Sequence, residues 1–159
     1  ELLMCADALY AGLNILRPAV AASGRKAEAK GSIVLGVVEG DVHDIGKNLV
    51  KMMFEAAGWT VHDLGKDVPL DKFVEELAQT NCDIVGISAM MTTSMLAIPV
   101  VIQKIREHNP NVRILLGGAP ITQDTVERFG ADGYAKSAGT AVDEALKLIK
   151  MLKEEELGR

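Results

Sequence analysis

The sequence predicts a doubly wound α/β fold, a five-stranded parallel sheet with helices on both faces. Two observations carry this. Runs such as Ile33-Val34-Leu35-Gly36-Val37-Val38 and Ile84-Val85-Gly86-Ile87-Ser88 are continuously apolar, the pattern of parallel strands buried on both sides. From Ser32 onward such runs alternate with amphipathic stretches at helical spacing. A chain of 159 residues suits one domain of ordinary size with a short appendage.

The elements follow in order. Leu2, Ala6, Leu9, Leu13 and Leu16 recur on one helical face, which Pro18 ends. This helix needs a partner, either the domain that follows or earlier helices of a bundle. Because the chain starts at Glu1 inside it, an N-terminal portion is expected to be missing. Residues 19–31, with Ser23-Gly24-Arg25-Lys26, read as a linker. Strand one spans Ile33 to Val38, and the next helix places Ile45, Leu49, Met52, Met53 and Ala56 inward and closes at Gly58. Strand two runs from Trp59 to Leu64. The second helix carries Leu70, Phe73, Val74 and Leu77, with Pro69 in its first turn. Strand three is Ile84 to Ser88, and the third helix, with Met95, Ile98, Ile102 and Ile105, must stop before Pro110. Strand four is Val112 to Leu116, followed by a short helix over 122–129, a strand at Gly133-Tyr134-Ala135, and a last helix with Val142, Leu146, Ile149 and Leu152. Right-handed crossovers and the flavodoxin-like order 2-1-3-4-5 put the switch point between strands one and three. The loops after strands one, three, four and five should then face one ligand.

Composition narrows the partners. Hydrophobic residues make up 48% and aromatics 4%, so the core is aliphatic. A net charge of -5 without a basic stripe argues against nucleic acid or an anionic membrane. There is neither a bilayer-length apolar run nor a signal peptide, and a cytoplasmic location is expected. Cys5 and Cys82 are too few for a disulfide framework and read as small apolar residues. Phosphate-loop, dinucleotide and nucleophile-elbow motifs are missing. His62 reads as a strand residue, His108 as a helix-end cation, and Glu154-Glu155-Glu156 as a solvated, fraying helix end.

The loop after strand one, Gly40-Asp41-Val42-His43-Asp44-Ile45-Gly46, is where chemistry concentrates. Asp41 lies two residues before His43, close enough to accept a hydrogen bond from one ring nitrogen and leave the other free for a metal. Such a carboxylate fixes the tautomer and ring orientation and strengthens the remaining nitrogen as a ligand. Gly46 leaves room for something bulky to pass the loop toward the sheet.

Asp41-x-His43-x-x-Gly46 resembles the signature of cobalamin-binding domains, and its flanks are similar to corrinoid proteins serving methyltransferases and to the cobalamin domain of methionine synthase. The resemblance runs from Ser32 to the end of the chain. It implies a cobalamin or related cobamide bound along Asp41, Val42, His43, Asp44, Ile45 and Gly46, with His43 as lower axial ligand of cobalt in place of the cofactor's own base. Ser88 and Met90 stand where the family has Ser-x-Leu, whose serine holds the displaced base; Met90 is a conservative exchange for the leucine. Thr92 belongs to the same loop. Ser94 matches a serine that joins Asp and His in a proton relay, and also reads as a plain N-cap of the third helix. Gly117 and Gly118 resemble the family's Gly-Gly against which the nucleotide tail lies. Ser137, Ala138 and Gly139 open the last helix with amides suited to the tail's phosphate or ribose. Tyr134 reads equally as core or contact.

The resemblance also implies a function. The chain would carry a methyl group from a substrate-specific methyltransferase to a second one that passes it to tetrahydrofolate or a thiol cofactor, and would not itself be the catalyst. His43 would hold the methylated cobalt and release the reduced one, with Asp41 and Ser94 handling the accompanying proton. Residues 1–18 would close a helical cap domain over the corrin's upper face, and residues 32–159 would form the cobalamin-binding domain. Two rivals remain on the same fold. An adenosylcobalamin mutase subunit lacks its catalytic barrel here, and a sensor module lacks an output domain.

Overall fold

The computed structural model describes residues 30–157 and, before them, positions 8, 11, 12, 15 and 18. Those five positions are helical and exposed. The expected leucine face of 2–16 and most of the linker lie outside the described residues. Gly31, placed at the linker's end, already extends the sheet, since its carbonyl accepts the Thr60 N–H at 3.0 Å.

Five parallel strands form one sheet: β1 (Ser32–Val38), β2 (Thr60–Val68), β3 (Ile84–Ser88), β4 (Arg113–Gly117) and β5 (Gly133–Ala135), in the order β2-β1-β3-β4-β5. The helices are α1 (Ile45–Ala56), α2 (Leu70–Thr80), α3 (Thr92–Met95), α4 (Ile98–His108), α5 (Gln123–Phe129) and α6 (Ala138–Leu157). One core lies between the sheet and α2, α4 and α5, with Phe73, Leu77, Ile98, Ile105 and Val126 packed on Val34, Val85 and Ile114. The other lies under α1 and α6, with Phe54, Ala141, Ala145 and Leu148 packed on Ile33, Leu35, Ile84 and Leu115. Both are mainly aliphatic, as expected, though they take in Phe54, Trp59 and Phe73. Their main aromatic contact is Phe54 against Trp59, centroids 5.0 Å apart and rings at 83°. Cys82 is buried, with its thiol on the Ile84 carbonyl.

Several expectations are corrected. The third helix is two, because Pro99 sits in the first turn of α4, where its missing N–H costs nothing, and starts a new helix behind Ala97. Strand β2 continues past Leu64 to Val68, through register shifts opposite Leu35-Gly36-Val38 and positive φ at Gly65 and Asp67. Pro69 stands at the N-cap of α2 rather than inside its first turn. The inward face of α1 centres on Lys47 and Phe54, while Ile45 and Met53 are exposed. In α6 the buried seam is Ala141, Ala145, Leu148 and Ile149, and Leu146 faces out; two alanines let the helix lie close to the sheet. Glu155 is no free end group, for its carboxylate meets Arg113 at 2.6 Å.

Candidate functional site

The site grows from the turn that ends β1. Asp41 N–H donates to the Val38 carbonyl at 3.1 Å, and Gly40 takes φ 83°, which only glycine adopts without strain. The turn drives the Asp41 side chain into the protein, where it is 0% exposed. A buried carboxylate must be paired or saturated, and five donors surround this one. Oδ1 accepts from the His43 N–H at 3.0 Å and from His43 Nδ1 at 2.8 Å. Oδ2 accepts from the Met90 N–H at 2.7 Å, the Met91 N–H at 3.1 Å and Ser94 Oγ at 2.7 Å. Burial by itself pushes the carboxyl up; the bonds from Met90, Ser94 and His43 outweigh it and hold Asp41 well below the usual carboxylate range.

An ionised Asp41 can only accept, so the bond to His43 places a proton on Nδ1 and leaves the Nε2 lone pair free. The imidazole is 51% exposed and stands at the mouth of a cavity of about 430 Å³, with Val42, Ile45 and Met90 exposed on the same loops. Ser94 caps neither α3 nor α4, whose N-caps are Met91 and Ala97. It sits buried inside α3, and its single proton has Asp41 Oδ2 at 2.7 Å and the Met91 carbonyl at 3.0 Å; the shorter bond to the charged acceptor is favoured.

Below His43 the cavity runs along the α1 and α6 side of the sheet. Its floor is a row across three strands, Leu35, Gly86 and Leu115, paired in register. Gly86 lets the end of the Leu35 side chain lie over it, where a Cβ would stand 2.5 Å from Leu35 Cδ2. Gly46 lines the entrance, and a Cβ on it would meet only open space. Beyond β4, Gly118 at φ 120° lets its turn press on the loop after β3, where a Cβ would stand 1.7 Å from the Ala89 carbonyl oxygen. Lys47 lines the wall and is buried, its ammonium held by Asp63 and by Asn48 Oδ1. Burial pushes the Asp63 carboxyl up, and the bonds from Lys47, Gly65 N–H and Lys51 more than reverse this.

Of the residues singled out in the sequence, His43, Gly46, Ser88, Met90, Gly117, Gly118, Ser137 and Ala138 line this one cavity. Asp41 and Ser94 lie behind His43. Val42, Asp44, Ile45, Thr92 and Gly139 are not in the lining. The Ser137 amide donates to Thr140 Oγ1 at 3.2 Å, so it is not the free donor the sequence suggested. Tyr134 both lines the cavity and packs on the core. Sequence reasoning missed Lys47, Val50 and the Leu35-Gly86-Leu115 floor; the signal for the floor was a glycine inside an otherwise branched strand.

The donor set limits the ligand. Among the described residues no group of three or more His, Cys, Asp or Glu side chains is placed to hold a bare metal ion. A single oriented imidazole over a deep slot fits a metal whose other positions come with an organic ligand, one arm of which enters the slot. Fold and site together define a flavodoxin-like domain for a large metal-bearing cofactor.

The comparisons with known proteins agree. Residues 31–156 match the family model described as the B12 binding domain. Dimethylamine corrinoid protein 2 of Methanosarcina acetivorans is 45% identical over 151 residues, 94% of this chain and 69% of that protein. Dimethylamine corrinoid protein 3 of Methanosarcina mazei is 43% identical over 94% of this chain and 90% of that one. Among solved structures, the monomethylamine corrinoid protein of Methanosarcina barkeri superposes with TM-score 0.80 at 33% identity, covering 92% of this chain and 69% of that one. The methanol:cobalamin methyltransferase complex of the same organism gives 0.68 at 35% identity, over 87% of this chain and 53% of that one. The chain belongs to the B12-binding family, and its cofactor is a corrinoid. Among the described residues no helix is long and apolar enough to cross a membrane.

Proposed function

We propose that the protein is the methyl carrier of a cytoplasmic corrinoid-dependent methyltransferase system, with His43 Nε2 as lower axial ligand. The observation that carries this is the Asp41–His43 pair: a carboxylate saturated by five donors fixes the imidazole as the Nδ1–H tautomer at the mouth of the slot. A bound corrinoid supplies a cobalt that accepts and gives up a methyl group.

The chain's residues do the rest. Asp41 stays ionised and orients the ring. With Ser94 Oγ on its second carboxylate oxygen, Asp41 would hold the Nδ1–H tautomer that presents Nε2 to the metal. The slot beside His43, bordered by Ser88, Gly117 and Gly118, would hold the cofactor's displaced base and tail. The relatives' names point to methylamines or methanol as donors through a partner methyltransferase; a second partner passes the methyl to tetrahydrofolate or a thiol cofactor.

The test is the visible spectrum of the protein loaded with methylcobalamin, beside His43→Ala. A histidine-coordinated spectrum in wild type that becomes base-off in the variant is expected. Identical spectra would overturn the ligand assignment.

A further inference from the structure

The turn carrying Asp41 is held from two sides, and the β2 side has no part in the reading above. In the turn Val38-Glu39-Gly40-Asp41 the central peptide, between Glu39 and Gly40, makes no bond inside the turn, and type I and type II forms differ by a flip of that peptide. Here its N–H, on Gly40, donates to Asp67 Oδ1 at 2.8 Å. The backbone of the same residue donates from the Asp67 N–H to the Asp41 carbonyl at 2.9 Å. Asp67 thus grips the turn twice, at the end of β2.

It does so in a left-handed conformation, φ 51°. The other non-glycine residue with positive φ among the described residues is Asn81, which ends α2 as its C-cap, an ordinary place for that conformation. Asp67 ends no helix. Aspartate tolerates this region better than most residues, and backbone strain of this kind collects where the surroundings impose it. The two bonds to the turn are what impose it. They also complete Asp41: its N–H is on Val38, its carbonyl is on Asp67, and both carboxylate oxygens are filled.

We propose that Asp67 is a positioning residue for His43. It selects the orientation of the Glu39-Gly40 peptide and fixes the Asp41 carbonyl, and so sets the direction in which the Asp41 carboxylate presents the imidazole. The inference rests on the reading of His43 as axial ligand. Without Asp67 the turn peptide flips freely and the ring loses its fixed aim, while the cofactor slot, built from other strands, is unchanged.

Two variants separate side chain from backbone. Asp67→Asn keeps an acceptor for Gly40 and tolerates the left-handed region; Asp67→Gly keeps the conformation without strain and removes the acceptor. Both are compared with wild type and His43→Ala as methylcobalamin-loaded protein, by visible spectrum, and without cofactor, by amide exchange at Gly40. Asp67→Asn should match wild type. Asp67→Gly should fold and bind the corrinoid, yet shift the histidine-on/off equilibrium toward off by about tenfold and speed Gly40 exchange by a similar factor. Wild-type behaviour of Asp67→Gly in both readouts, or equal impairment of Asp67→Asn, would overturn the proposal. If wild type itself showed no histidine coordination, the ligand reading would fail, while Gly40 exchange would still decide whether Asp67 holds the turn.

Discussion

The two loops that meet beside the slot are built by opposite means. The loop after β1 is crowded with polar contacts, five donors on one carboxylate. The turn after β4 works by what it lacks: Gly117 and Gly118 bring backbone against backbone, with the Ala89 N–H on the Gly117 carbonyl at 3.1 Å. The first loop aims the His43 imidazole and fixes its tautomer. The second only leaves room. A polar loop of this kind tolerates an isosteric change and loses tuning, whereas a loop defined by empty space tolerates no added atom.

Substitutions can break that contrast. Gly118→Ala should have the largest effect, because its Cβ would meet the Ala89 carbonyl oxygen at 1.7 Å on a backbone at φ 120°. A loss of at least about 3 kcal/mol is expected in urea denaturation, and a near-neutral result would show that the two loops do not depend on their close approach. Asp41→Ala should cost about 2 kcal/mol, since it strands the Met90 and Met91 amides.

The acid limb sharpens the same point. Asp41 titrates below its unfolded value when folded. Its contribution is therefore fully present above about pH 4 and drains away as the pH falls further. Wild type should lose more stability than Asp41→Asn over that acid window, and parallel pH–stability curves would contradict the saturated network.

Smaller effects probe the slot and the last donor. Gly86→Ala asks only the end of the Leu35 side chain to move, so the fold should change by less than about 1 kcal/mol. Filling the floor should still weaken corrinoid binding about tenfold in equilibrium dialysis. Ser94→Ala removes one of five donors and should cost about 0.5 kcal/mol, read as a small shift in urea midpoint.

Much of this was legible because it is local or periodic. Continuous apolar runs gave away the strands, their alternation with helices gave the parallel sheet, and the order 2-1-3-4-5 is the flavodoxin-like one expected. Asp41 and His43 are two residues apart, so their pairing is visible in the sequence itself. What escaped was non-local or hidden in helical phase. The bond from Gly40 to Asp67 spans 27 residues and has no sequence pattern of its own. A burial pattern drawn from hydrophobicity put Met53 inside and could not see that α1 buries Lys47 instead, because that ammonium is neutralised by Asp63 on the neighbouring strand. Gly86 passed as one more apolar residue in a buried strand, although its missing side chain is what lets Leu35 lie across the floor.

Everything in the proposed function turns on whether His43 Nε2 ligates the metal. Its most direct test is electron paramagnetic resonance of the protein loaded with cob(II)alamin, prepared with ordinary histidine and with histidine labelled with ¹⁵N throughout the ring. One axial ring nitrogen splits each cobalt line into three when it is ¹⁴N and into two when it is ¹⁵N. With His43 on the metal, the triplets should become doublets on labelling the protein alone. Triplets that persist with labelled histidine would show the cofactor's own base still on the metal and would contradict it.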